Sequence, residues 1–371
     1  MVEQRTLDDR RGGDAPRTAP SDPGDATGPP PGDGAMPEPL ERAVFGIHAT
    51  HAVQLADRHG VFAFLIAHGA SRTGNIAAAT GTDEETLRRL LIALQAFGVL
   101  TGDDRDGYRV PPESAPYLDP DSPRYTGAFL QHLVTSTSGR LPQLADYVAR
   151  GKARVDADLP APFDAMYADE GSTATFLRAM WQLSFEVSDE LVALAGLGAA
   201  RHLVDVGGAN GPFSVSALLR TPALRATVFD LPHVAPHLAR SRDAYGLGER
   251  LRFAPGDFFR DELPKGDQLA FGYVLSDWDD DTCATLLRKA RRACAPGGRV
   301  LVMDRLFDDD GHRPLATAVM NLSMHVETRG RHRTAGEYLG LLRDAGFTDC
   351  EVRRSSREKH LVIGHSAPDG G

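Results

Sequence analysis

Three carboxylates stand at the ends of three short apolar runs, each where the chain turns. The first lies in Leu203-Val-Asp-Val-Gly-Gly-Ala-Asn-Gly211, the second in Phe229-Asp-Leu-Pro232 and the third in Gly256-Asp257-Phe258-Phe259. Glycines let a backbone approach a ligand with no Cβ in the way. Asp205, just ahead of them, can reach an ammonium group lying on that turn. Asp230 is placed to accept from both hydroxyls of a ribose. An aspartate beside an aromatic, as in Asp257-Phe258, suits an adenine: the carboxylate accepts from the amine and the ring packs on the base. The spacing is not G-x-G-x-x-G, because Ala209 occupies the second glycine position, which disfavours a dinucleotide pyrophosphate. One such element is a weak signal; three at successive strand ends read as one nucleoside site.

The elements that must position these groups are legible in the apolar pattern. Strands are predicted over His202-Val206, Ala226-Phe229, Leu251-Ala254, Gln268-Tyr273 and Arg299-Met303, with helical segments between them. That alternation is the pattern of a doubly wound parallel sheet. Val352-Ser355 and His360-Ile363 are expected to close the chain as a hairpin. Upstream, helical spacing over Leu40 to Ala67 is broken at Gly60, and Thr73 to Gly81 reads as a short helix. Thr82, with Glu85 three residues on, has capping-box spacing for a further helix that ends at Gly98. Val99-Leu100 and Tyr108-Val110 would then pair as a hairpin, which completes a winged-helix pattern. Its second helix opens on Asp83-Glu84-Glu85, which would meet phosphates with three negative charges, so dimerisation is favoured over DNA binding. The segment Phe176 to Phe185 is apolar on nearly every face, as a buried or pocket-lining helix is.

Composition narrows the classes. The 371 residues are 42% hydrophobic and 25% charged, ordinary values for a globular chain. Lys and Arg total 41 against 51 Asp and Glu, a net charge of −10, which disfavours nucleic acid as a partner. Cys283, Cys294 and Cys350 are widely spaced, without the pattern of a disulfide scaffold or a zinc site. There is no apolar run long enough for a membrane span and no signal peptide, so a cytoplasmic protein is expected. Residues 1–39, rich in Pro, Gly and Asp, read as a disordered tail.

The motifs above, with Val274-Leu-Ser-Asp-Trp-Asp279, Ala295-Pro-Gly-Gly-Arg-Val-Leu301, Arg333-Thr334 and Asp344-Ala-Gly-Phe347, resemble the class I S-adenosylmethionine-dependent O-methyltransferases. The likeness is to the bacterial small-molecule branch that decorates polyketides, anthracyclines and other natural products. It implies an α/β fold: a Rossmann-like doubly wound methyltransferase sheet behind an N-terminal all-α, winged-helix dimerisation domain. The implied domains are 40–118 for dimerisation, 119–197 as a helical connector lining the acceptor pocket, and 198–371 for the cofactor. S-adenosyl-L-methionine would be the cofactor, S-adenosyl-L-homocysteine its product, and a small aromatic molecule the acceptor, in a homodimer. By the resemblance Asp205, Gly207 and Gly208 lie near the methionine part, joined by Met180 and Ser184 from the helical segment. Asp230 falls on the ribose, Leu231 beside the adenine, Asp257 and Phe258 at the base, and Gly272 and Tyr273 at the sulfonium. Ala209 stands where many members have a third glycine, which should cost little because alanine is small.

The departure that bears on mechanism is Ser276, where plant relatives carry a histidine as general base. A serine cannot do that work unaided. Proximity and orientation of the two reactants can supply much of the required acceleration, so methyl transfer stands. The alternatives are a non-methylating, hydroxylase-like member and, further off, a winged-helix regulator. His325 would face the acceptor pocket and has the chemistry of a base, or it is a hydrogen-bonded structural histidine. His332 falls where plant relatives carry a supporting glutamate. His325 with Asp277 and Glu327 could make a metal site, but no ligand spacing demands one, and none is expected. Ser276, Asp277 and Met324 are expected at the acceptor, and Trp181 either stacks on it or belongs to the core.

Overall fold

In β1, His202–Val206, successive side chains leave the strand on opposite faces, and the packing follows that period of two. Leu203 joins one apolar cluster, and Val204 and Val206 join the other. The same alternation recurs in β4, Gly266–Gly272, where Leu269 and Phe271 flank Ala270. It recurs again in β5, Cys294–Phe307, at Val300, Leu301, Val302 and Met303. A sheet buried on both faces needs helices on both. Helices Asp280–Ala293 and Ala335–Asp344 supply one cover through Leu286, Leu287, Tyr338 and Leu342. Helices Glu170–Ala195 and Pro212–Arg220 supply the other through Leu191, Phe213 and Leu218.

This is a computed structural model that describes residues 36–156, 167 and 169–368. With β2 at Arg225–Asp230, β3 at Leu251–Pro255, β6 at Arg333–Thr334, β7 at Thr348–Arg353 and β8 at Lys359–His365, the sheet order is β3-β2-β1-β4-β5-β8-β7. β1 to β5 run parallel to their neighbours, as expected. The closing hairpin is present too, and β8 enters the sheet between β5 and β7, antiparallel to both. The fold is therefore α/β with a mixed sheet. β6, two residues that pair with β5, escaped prediction because so short a run carries no period.

Among the described residues, those up to Gly46 group apart from the compact unit that begins at Ile47. The expected tail lies outside the described residues up to position 35, and the first helix begins at Glu38. That helix, Glu38–Arg58, is followed by Val61–His68, Thr73–Thr80 and Glu84–Ala96. The last is capped by Asp83, whose carboxylate accepts from Thr86 N at 2.8 Å; Thr82 is not its cap. The expected hairpin contributes the isolated bridges Ser71–Tyr108 and Thr101–Arg109 rather than full strands. Glu84 and Glu85 pair with Arg88 and Arg89 one turn on, so the acidic helix start is an i,i+4 ladder.

Candidate active site

Sheet order reverses between β1 and β4, and the crevice beyond their carboxyl ends is where ligands bind in such sheets. A cavity of about 320 Å³ opens there. Its walls include every residue expected around the cofactor: Asp205, Gly207, Gly208, Asp230, Leu231, Asp257, Phe258, Gly272 and Tyr273 from strand ends, and Met180 and Ser184 from helix Glu170–Ala195. Ser276, Asp277 and Met324, expected at the acceptor, line it as well.

The turn after β1 is tightly packed. Gly207 has φ 66°, and a Cβ there would stand 2.8 Å from the Val274 side chain. A Cβ on Gly208 would stand 2.6 Å from the Asp205 carboxyl carbon. Ala209 is left-handed at φ 51°, so its substitution for glycine carries a backbone strain of roughly 1 kcal/mol that its small size does not remove. Tyr273, at φ 56°, is the second such residue in the cavity wall. Strained backbone clusters at ligand sites because the surrounding packing over-determines it.

Electrostatics mark one end of the cavity as a place for a cation. Burial pushes the Asp205 carboxyl up to about 6, although Ser214 Oγ donates to it at 2.7 Å. Burial likewise raises Asp230 to about 6, against the backbone N–H groups of Ala209 and Leu231 at 2.8 and 2.7 Å. The Asn210 Oδ1 is buried with no partner among the described residues. These groups favour a ligand that brings positive charge and hydroxyl donors. On the floor, burial lowers Lys359 to about 8; its ammonium lies 3.2 Å from Ser184 Oγ and 3.9 Å from the Tyr273 ring centre. Lys359 opens β8 opposite Arg305 of β5, and neither drew notice in the sequence, since which strand lies beside β5 is invisible there.

The other end is apolar and aromatic. Phe129, Leu133, Phe176, Met320 and Met324 are all in the cavity wall. His132 also lines it, with Nε2 3.3 Å from Glu327 Oε1, and Thr137 Oγ1 donates to the same oxygen at 2.6 Å. His132 and Thr137 gave no sequence signal, because their helical segment meets Glu327 only in the fold.

Helix phase separates two of the candidate residues from the cavity. Met320, Met324 and Glu327 are four and then three residues apart in helix Leu315–Glu327 and share one face. His325, one residue after Met324, is turned about 100° from it. Its ring packs edge-on to Tyr147 with centroids 5.5 Å apart, off the cavity wall. The trio His325, Asp277 and Glu327 is therefore not assembled around one point. Trp181 follows Met180 in the same way, and it stacks on Phe185 at 4.5 Å and near Tyr245 at 5.9 Å, on the side of the second core cluster.

Residues 142–348 match the O-methyltransferase domain family. The chain belongs to the O-methyltransferase family. It is 32% identical to the 3-hydroxy-5-methyl-1-naphthoate 3-O-methyltransferase of Streptomyces sahachiroi, over 89% of this chain and 95% of that one. The crystal structure of human N-acetylserotonin methyltransferase with S-adenosylmethionine superposes with a TM-score of 0.79 at 28% identity, covering 90% of this chain and 99% of that one. Mitomycin 7-O-methyltransferase superposes with a TM-score of 0.74 at 29% identity, covering 89% and 97%. The protein is thus an enzyme of the methyltransferase class that uses S-adenosylmethionine, and the non-methylating alternative is set aside. Its donor set fits that cofactor: a sulfonium and an ammonium are cations, a ribose offers two hydroxyls, and the pocket supplies buried carboxylates.

Proposed function

We propose that the enzyme methylates a hydroxyl of a small, flat aromatic natural product. The observation that carries this reading is a single cavity whose walls combine the buried carboxylates Asp205 and Asp230 with the apolar side chains of Phe129, Phe176, Met320 and Met324. Relatives named for a naphthoate and for mitomycin support it. Asp230, with Leu231, would hold the ribose and adenine, Asp257 and Phe258 the base, and Asp205, Gly207, Gly208, Met180 and Ser184 the methionine arm. Gly272 and Tyr273 would border the sulfonium. When bound, the cofactor supplies an electrophilic methyl group. The chain's own part is to align the acceptor oxygen, exclude water and accept the hydroxyl proton. Incubation with S-adenosylmethionine and a panel of phenols and hydroxynaphthoates, read by mass as S-adenosylhomocysteine formed, tests the reading. Tight cofactor binding without product from any hydroxylated aromatic would defeat it.

The domain organisation follows the same reading: 40–118 as a winged-helix dimerisation domain, 119–197 as connector and 198–371 as catalytic domain. Leu40, Val44 and Ile47 stand exposed on the first helix, and such apolar surface suits a homodimer contact. Light scattering that gives one chain's mass at micromolar concentration would oppose it. Three unpaired cysteines fit a reducing, cytoplasmic setting.

A further inference from the structure

We propose that His332 is the general base for the acceptor hydroxyl and that Asp304 positions it; the proposal rests on the methyl-transfer reading above. His332 is 3% exposed and lines the cavity, yet neither ring nitrogen has a hydrogen-bond partner among the described residues. Nδ1 lies 3.6 Å from Asp304 Oδ1, too long for a hydrogen bond but with the carboxylate facing that side of the ring. Asp304 is itself fully buried and fixed: Oδ2 accepts from Tyr338 Oη at 2.8 Å, and Oδ1 from Arg305 N at 2.9 Å. With Nδ1 turned to Asp304, Nε2 is left for the acceptor.

The loop that carries His332 is fastened to the segment that carries Ser276 and Asp277. Arg329 N donates to Asp277 O at 3.1 Å, and His332 N donates to Asn321 Oδ1 at 2.8 Å. At Gly330 a Cβ would fall 2.0 Å from Ser276 O, so the two backbones lie flush. Arg333, wholly buried, donates to the carbonyls of Leu275 and Trp278. The imidazole missing at position 276 is thus supplied from a neighbouring loop. Two further histidines were candidates: His132 also lines the cavity but faces Glu327, and His325 packs on Tyr147.

In the step, the acceptor O–H bond breaks and its proton passes to His332 Nε2. The oxygen lone pair forms the new O–C bond as the S–C bond breaks, with that electron pair retained on sulfur. The imidazolium faces Asp304 and then returns its proton to solvent. The titratable and charged groups around it are Asp304 on β5, Asp277 in the Leu275–Asp277 turn, Glu327 at its helix end, Arg333 in its own loop and Lys359 on β8.

The test uses two acceptors, an unactivated phenol of pKa about 10 and a nitrophenol that is already ionised at the assay pH. His332→Ala should lower kcat/KM on the first by about 100-fold and on the second by less than about threefold. Exogenous imidazole should restore part of the loss, and affinity for S-adenosylhomocysteine should not change. His332→Gln should behave as the alanine variant does. Asp304→Asn should move the acid limb of the pH profile to lower pH, where a merely structural carboxylate leaves it in place. Equal losses on both acceptors, or none, would overturn the proposal. With S-adenosylhomocysteine bound no transfer occurs, and the wild type should then raise the phenolate absorption of a bound chromophoric phenol above that of His332→Ala. Identical spectra would overturn the base even if no acceptor is ever turned over, whereas absence of turnover alone counts against the methyl-transfer reading.

Discussion

Arg333 grips one carboxylate oxygen of Asp280 with Nε at 2.9 Å and Nη2 at 2.7 Å, while its guanidinium stays entirely buried. The same group donates to Leu275 O at 3.0 Å and Trp278 O at 2.8 Å, so one side chain ties the 275–280 turn to the loop before β6. Buried carbonyls left unmet cost about 1–3 kcal/mol each. Arg333→Leu should therefore lose about 3 kcal/mol or more in chemical denaturation and nearly all turnover, because Ser276, Asp277 and His332 share that support. Asp280→Ala removes a half-exposed partner and should lose about 1 kcal/mol. Equal losses for the two would show that the carbonyl contacts contribute little.

Asp205 sets cofactor affinity against stability. Burial raises its carboxyl from 3.8 to about 6, so the folded state binds its proton more tightly than the unfolded state. Stability then falls as pH rises from about 4 to about 6 and stays lower above that. Asp205→Asn should be more stable than the wild type at pH 8, by at most about 3 kcal/mol for a shift of roughly two units. The advantage should vanish near pH 4, and affinity for S-adenosylhomocysteine should fall at least tenfold. An advantage that persists at pH 4 would point to packing rather than charge.

The strand-end part of the cavity wall was legible because its residues follow strand ends, and strands announce themselves by apolar runs. Asp205, Asp230 and Asp257 needed no tertiary knowledge beyond that. The helix- and loop-lined part was less legible, since it depends on helix phase and on which loops meet. Met324 and His325 are neighbours in sequence, yet only Met324 faces the cavity; Met180 and Trp181 divide in the same way. His132 meets Glu327 across 195 residues of chain, a contact without any local pattern. Turned away from the cavity, these side chains are dispensable to the reaction: His325→Ala should keep turnover within about twofold, and Trp181→Ala should lower the melting temperature while leaving acceptor preference intact. A change of acceptor preference in either variant would place that side chain back at the substrate.

Asp277 is a carboxyl whose charged form the fold disfavours. Burial raises its pKa well above the ordinary range, and the nearby charges of Asp304 and Glu327 push it in the same direction. No positive group stands among those causes. In its neutral form this carboxyl in the cavity wall is a hydrogen-bond donor, suited to an acceptor's ring oxygen or carbonyl. Asp277→Asn keeps a neutral donor and should hold kcat and acceptor KM within about threefold near pH 7. Asp277→Ala loses the hydrogen bond and should raise acceptor KM by about tenfold, the equivalent of about 1.4 kcal/mol. As pH rises through the folded-state pKa, the wild type must place a third negative charge beside Asp304 and Glu327, so it should lose both acceptor affinity and stability. Asp277→Asn has no proton to release there and should hold its KM across that range. An alkaline rise in acceptor KM that the asparagine variant shares would show that Asp277 is not the group that titrates.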